Sequence, residues 1–430
     1  MEPTILLLVF LLVLLIPILL GIPVVYSLGI SSLIIMLLPL GPRFSSAIFS
    51  IRMVRGSEGF ILLAIPFYLF AGRLLSDSGA TDAIFDFSRE LMGHVSGGIG
   101  HVNVFASIIF SGMSGSAVAD AAGLGTVEYD MMKQAGYDDG MAVAVTGSSA
   151  IIGPIMPPSI PFIIYGVLAG VSIGNLFLAG IVPALLIAVS LMIVVFYQAL
   201  SRGYETTDGF SLRDAVKTLL SALPAIMTVV LIIGGILTGV FTATEAGAVA
   251  VIWALLIGVF VYGDTTRQSV WDAAYETMVD IGAFLSILAT ASVYSFTIIA
   301  ARIPELFVEL LLQSGGSPTT RLFLIVFALI FLGMVMEPLA NIILVVPILA
   351  PNFSVLGIDP LHAGVVITLT LMIGLVTPPV GAILFVLEKV TDVPQEMISV
   401  AMIPYYIPLL VVLVLLVLFP QLVLMIPNGI

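Results

Sequence analysis

Ten residues from Ser111 to Asp120, S-G-M-S-G-S-A-V-A-D, bring three hydroxyls and one carboxylate together between glycines. Glycine allows the backbone to turn so that carbonyls face inward, and Ser111, Ser114, Ser116 and Asp120 add hard oxygens carrying a single charge. Such a set suits a weakly bound monovalent cation such as Na⁺. Gly and Ser alone also serve close helix packing in a membrane. The cation reading gains weight when the tip faces a second broken element. Ser148, Ser149, Gly153 and Ser159 supply one such set of facing groups, and Thr377 and Gly381 another.

These groups sit where helices must break. The run from Met141 to Leu168 is long enough to reach across a bilayer, yet Gly153, Pro154, Pro157 and Pro158 forbid one continuous helix within I-G-P-I-M-P-P-S. A break leaves carbonyls unpaired and the next N-terminus electropositive. At membrane depth such backbone is tolerated only inside protein or along a wet cavity. The alternative, a simple kink with hydroxyls bonded back to the helix, uses the same residues.

The interruption recurs at an offset of 221 positions, where I-G-L-V-T-P-P-V carries Gly374, Pro378 and Pro379. Gly112 and Met113 recur as Gly333 and Met334, Gly136 and Asp138 as Gly357 and Asp359, and Pro183 as Pro404. Paired Gly/Pro-interrupted spans in two halves point to a secondary transporter site. Glu337 and Asn341 align with Ser116 and Asp120 at the second tip. Glu337 is the acid of an otherwise uncharged run, which makes it a functional residue by default unless burial neutralises it. Arg302 either clamps a carboxylate bidentately or anchors at the interface, according to which way it points.

Sixty per cent hydrophobic residues, 9% charged residues and a mean hydropathy of +1.25 define a polytopic membrane protein. A net charge of −13 argues against nucleic acid or anionic lipid as a partner. The absence of cysteine removes disulfides, thiolate metal sites and cysteine nucleophiles. No lysine stands in a Walker-type loop, and His94, His101 and His362 show no metal spacing. An intramembrane hydrolase would lack a base.

Residues 1–200 form a first repeat: spans over Thr4–Leu20 and Pro23–Leu40, a connector Gly41–Glu58, a third span Gly59–Ser76 and an interfacial helix Asp77–His94. A re-entrant hairpin over about 98–127, a polar loop Glu128–Gly140, the broken helix over about 141–168 and a span Ile173–Leu200 follow. The first run, lacking a basic leader, reads as a retained span. Residues 201–217 are the linker. Residues 218–430 repeat the plan: spans Leu219–Val240 and Thr242–Tyr262, a connector to Glu276, a span to Ala300, an amphipathic piece Pro304–Gln313, a hairpin over about 321–350, a broken helix over about 362–389 and a last crossing Met397–Phe419.

The expected fold is thus an all-α polytopic membrane protein of about ten transmembrane helices plus two re-entrant hairpins and two broken helices. Five full crossings per half make the repeat inverted. Eight Lys and Arg lie with the first hairpin's face against five with Arg43, Arg52, Arg55, Arg302 and Arg321. That split favours periplasmic termini and a first hairpin opening to the cytoplasm.

The S-G-M-S-G-S-A-V-A-D stretch, the I-G-P-I-M-P-P-S break with its T-P-P-V echo, and the length resemble the large membrane subunit (DctM-type) of TRAP transporters over nearly the whole chain. The resemblance implies a bacterial inner-membrane protein importing an organic acid, of the sialic acid or C4-dicarboxylate class, by sodium symport and an elevator mechanism. It implies a periplasmic substrate-binding protein that delivers the carboxylate, and a small four-helix membrane subunit on a separate polypeptide. It places Na⁺ at Ser114, Ser116 and Asp120 with Ser149 and Pro154, and at Asn341 with Thr377 and Pro378. It places substrate near Ser116, Ser159, Arg302 and Glu337. The rival from another class is a gated channel or passive conduit for small anions.

Overall fold

The structure is a computed structural model, and it describes residues 3–37, 45–204, 209–313 and 315–429. Arg43, the end of the second expected span, linker residues 205–208 and the Ser114 side chain lie outside the described residues.

The first half runs α1 (Pro3–Leu19), α2 (Val24–Leu37), α3 (Ser46–Ser57), α4 (Ala64–Ser76), α5 (Ala80–Met92), α6 (Gly98–Ser114), α7 (Ala117–Ala122), α8 (Leu124–Gln134), α9 (Asp139–Ser149), α10 (Ile160–Ala169) and α11 (Ile173–Arg202). The second runs α12 (Leu212–Leu237), α13 (Ala243–Ile257), α14 (Arg267–Ala300), α15 (Ile303–Gln313), α16 (Pro318–Val335), α17 (Pro338–Leu349), α18 (Phe353–Leu356), α19 (Pro360–Leu375), α20 (Ala382–Thr391), α21 (Gln395–Ala401), α22 (Ile403–Leu418) and α23 (Gln421–Leu424).

The described residues contain six helices long and apolar enough to cross a membrane alone, or eight crossings if two bent pairs each count as one. The pairs are Ser46–Ser57 with Phe60–Ser76, bent by 47°, and Gln395–Ala401 with Ile403–Leu418, bent by 54°. Large apolar side chains such as Leu220, Phe260, Phe327 and Ile407 point outward, where lipid is the solvent that suits them.

Several expected boundaries move. The stretch read as a connector before Glu58 contains α3, started by Ser45, whose hydroxyl accepts from the Ile48 amide. Its arginines suggested a loop, but α3 packs along α14, and Gly56 is what lets it come close. A Cβ on Gly56 would stand 2.5 Å from the Ser292 Cβ and 2.9 Å from the Leu288 carbonyl. The matching connector in the second half is likewise helical, since α14 already starts at Arg267 behind its cap Thr266. The polar loop expected from Glu128 is mostly α8, because Glu128 turns inward and Lys133 pairs with Asp139 at 2.6 Å. The two arms of the second hairpin, Pro318–Val335 and Pro338–Leu356, are each long enough to cross, so length alone does not make them re-entrant.

The halves are laced together. The amphipathic α5 packs against α12, where the Glu90 carboxylate accepts from the Ser211 amide at 3.1 Å. Reciprocally, α15 packs against α1. The Tyr68 hydroxyl on α4 donates to the Ala243 carbonyl at the start of α13. Deeper in, α10 crosses α19 where Gly364 faces the Tyr165 ring, and the Tyr165 hydroxyl donates to the Pro360 carbonyl at 2.6 Å. At the surface Asp138, the cap of α9, is clasped by Arg202 and Tyr204. Burial works against the Asp138 charge, but Tyr204, the Met141 amide and Arg202 outweigh it and hold the carboxyl below its ordinary range.

Candidate functional site

At the first hairpin tip α6 ends at Ser114, Gly115 takes φ +62° and Ser116 caps α7, accepting from the Ala119 amide. Gly115 is required twice over. It adopts a left-handed backbone that disfavours side chains, and a Cβ there would stand 2.6 Å from the Pro158 carbonyl. The tip therefore presses directly on the first break. Ser159 closes that break, donating to the Pro154 carbonyl and accepting from the Phe162 amide at 3.2 Å to cap α10. The Asp120 carboxylate lies buried over Gly153, whose missing side chain makes the room. A Cβ there would meet Asp120 Oδ2 at 2.5 Å.

The second tip repeats this arrangement. Glu337 caps α17, accepting from the Ala340 amide at 3.1 Å. Gly333 and Gly374 bring α16 and α19 into backbone contact, and the Gly381 amide donates to the Met334 carbonyl at 3.1 Å. The break between α19 and α20 keeps the Thr377 hydroxyl bonded back to the Ile373 carbonyl, while the Tyr406 hydroxyl donates to the Val376 carbonyl. Asn341 is fully buried. Its Nδ2 donates to the Leu332 and Met336 carbonyls at 3.2 and 3.1 Å, which fixes the amide, and its Oδ1 has no hydrogen-bond partner. A buried carbonyl oxygen left bare costs stability unless something else binds it.

The two tips face one another across a small cavity lined by Ser116, Pro154, Ile160, Glu337, Pro338 and neighbouring apolar residues. Glu337 is exposed, and its surface opens into this space. The cavity measures about 30 Å³, room for roughly one water molecule, whereas small-molecule pockets run to about 300 Å³ or more. Holding an organic acid requires the tips to part.

Of the residues expected near substrate, Ser116 and Glu337 line the cavity, and Ser159 sits just behind it as the cap of α10. Arg302 does not line it. It occupies an exposed turn between α14 and α15 with φ +56°, a backbone state unusual for a residue with a side chain. Ser149 is buried and donates to Asn103 Oδ1 at 2.8 Å, while Asn103 Nδ2 donates to Thr146 at 2.9 Å. Sequence reasoning missed Asn103 and the neighbouring pair of Ser107 and Glu128, bonded at 3.0 Å in the core. Asn103, Ser107 and Ser111 recur every fourth residue, a polar stripe on one face of α6 that the periodicity alone carries.

The sequence profile of the DctM component of the tripartite ATP-independent periplasmic transporters matches residues 8–422. The chain belongs to this family. The chain is a multi-pass protein of the bacterial inner membrane, a transporter permease rather than an enzyme. It is 40% identical to the sialic acid TRAP transporter large permease SiaM of Vibrio cholerae over 410 residues, 95% of each chain. It is 33% identical to the C4-dicarboxylate large permease DctM of Pseudomonas aeruginosa over 379 residues, 88% of this chain and 89% of that one. The sialic acid TRAP transporter permease SiaT of Haemophilus influenzae is 40% identical over 97% of this chain and 68% of its own length. The YdaH transporter of Alcanivorax borkumensis shares the fold at a TM-score of 0.65 over 98% of both chains, with 15% identity.

Proposed function

We propose that this permease imports an organic acid of the sialic acid or C4-dicarboxylate class, coupled to Na⁺, with the ligand handed over by a periplasmic substrate-binding protein and a small four-helix subunit completing the membrane complex. The observation that carries the sodium reading is the bare, buried Asn341 Oδ1 at the second tip, matched by the Asp120 carboxylate over Gly153 at the first. Asn341 with Thr377 and the Pro378 carbonyl, and Asp120 with Ser114, Ser116, Ser149 and the Pro154 carbonyl, are the groups that would hold the ions. The Ser159 hydroxyl uses one lone pair of the Pro154 carbonyl and leaves the other. Bound Na⁺ supplies positive charge beside an anion, and by linkage each raises the affinity for the other.

In this reading the halves form an inverted repeat: α1–α4 and α12–α14 with the arms α5 and α15 stay fixed, while the hairpins and broken helices slide as an elevator. The one-water space between the tips supports motion, because the cargo cannot fit without it.

Proteoliposomes holding the complete complex and its binding protein test the proposal. Labelled N-acetylneuraminate or succinate should accumulate only with an inward sodium gradient, and unlabelled substrate inside should drive counterflow. Accumulation independent of Na⁺ would refute the coupling. Equilibration without counterflow would indicate a conduit instead.

A further inference from the structure

A second cavity, of about 560 Å³, lies between α3 and α14 on one side and α10 and α17 on the other. Arg52 and Arg55, one turn apart on α3, line one wall together with Ser292 and Ser295 of α14, and among the described residues no acidic side chain lines it. Arg52 rests with its guanidinium carbon 4.4 Å from the centre of the Phe296 ring, which orients it without neutralising it. Among the described residues neither arginine forms an ion pair. In the cavity that leads to the first tip, by contrast, Arg73 is held by Asp280 at 2.6 Å and Glu276 at 3.6 Å.

The opposite wall belongs to the helices that form the central cleft. Ile160 and Pro161 of α10 and Pro338 and Leu339 of α17 line the cleft between the tips, while Val167, Leu168, Ile343 and Pro347 of the same helices line the arginine cavity. A separation of about seven residues at 1.5 Å each puts the two spaces roughly 10 Å apart along both helices. Among the described residues the cleft presents the Glu337 carboxylate and no Lys or Arg, so a carboxylate there meets like charge.

We propose that the Arg52/Arg55 cavity is an antechamber that binds the carboxylate of an organic acid before or after it occupies the cleft. The proposal rests on the organic-acid reading for its cargo. Two unpaired guanidinium groups beside two hydroxyls form the kind of fork that recognises carboxylate oxygens. Gly56 brings α3 close against α14, so in the elevator reading proposed above these groups stay put while α10 and α17 carry the cleft past them.

The chain has no cysteine, so Ser295→Cys places a single thiol in the cavity. In detergent-solubilised complex, an anionic methanethiosulfonate should label it roughly tenfold faster, relative to a cationic one, than it labels a free thiol. Combining Ser295→Cys with Arg52→Gln and Arg55→Gln should erase that preference. N-acetylneuraminate or succinate should slow the labelling when both arginines are present and have no effect when they are absent. Labelling without anion preference, or with no protection by either carboxylate in complex that still performs sodium-driven uptake, overturns the antechamber and leaves the transport reading intact. Carboxylate protection in complex without sodium-driven uptake preserves the antechamber and refutes the coupling. Protection by phosphatidylglycerol alone identifies a lipid seat and overturns the proposal.

Discussion

Replacing Asp120 by asparagine should raise the sodium concentration needed for half-maximal uptake by about tenfold to a hundredfold, since a charge-assisted contact is worth roughly 1.5–3 kcal/mol. The side chain keeps its shape over Gly153, so the melting temperature of purified complex should stay close to that of the parent. Gly153→Ala approaches the same contact from the other partner. Its added carbon would fall 2.5 Å from Asp120 Oδ2, pushing the carboxylate aside while leaving its charge present. Both variants should shift the sodium dependence of uptake in proteoliposomes to higher concentration in parallel. Unchanged sodium response in either one removes this carboxylate from ion binding.

Gly374→Ala should act on the fold itself. Its Cβ would stand 2.5 Å from the Gly333 carbonyl carbon and 2.6 Å from its Cα, and backbone atoms cannot rotate out of the way as a side chain can. Overpacking of this kind costs about 1–3 kcal/mol, and here it falls where α16 crosses α19, so the second hairpin should separate from its broken helix. Uptake should fall to background together with a lowered melting temperature. Gly282→Ala is the control, because nothing lies within 4 Å of its missing side chain on α14 and alanine favours helix by about 1 kcal/mol. A parent-like Gly374→Ala protein would show that the crossing is not packed as described.

The breaks and tips were legible because proline and glycine act locally. A double proline ends a helix whatever surrounds it, and Gly115 in a Ser-rich tip announces a turn before any tertiary contact is known. The pairing of Ser116 with Glu337 followed from the same offset that aligned the prolines, and both residues prove to cap the second arms of their hairpins. Arg302 was not placeable, because its direction depends on how the turn between α14 and α15 packs, which no spacing encodes. The α3 helix and the inward face of α8 were hidden for a related reason. Arg52, Arg55 and Glu128 look like loop residues by composition, and only a close-packed partner reveals that their stretches are helical. The same blindness concealed the arginine cavity, whose walls come from four helices distant in sequence.

Because α5 rests partly on α12 and α15 partly on α1, each strap completes its seat only with the other half. During synthesis α6 covers part of α5, with Phe110 on Phe85 and Phe105 on Phe87, but the side that meets α12 stays uncovered until more than a hundred further residues have been inserted. A nascent chain halted in the 205–208 stretch would therefore leave the ribosome unfinished in a physical sense, and premature release there should send it to the quality-control proteases rather than to a half-sized carrier.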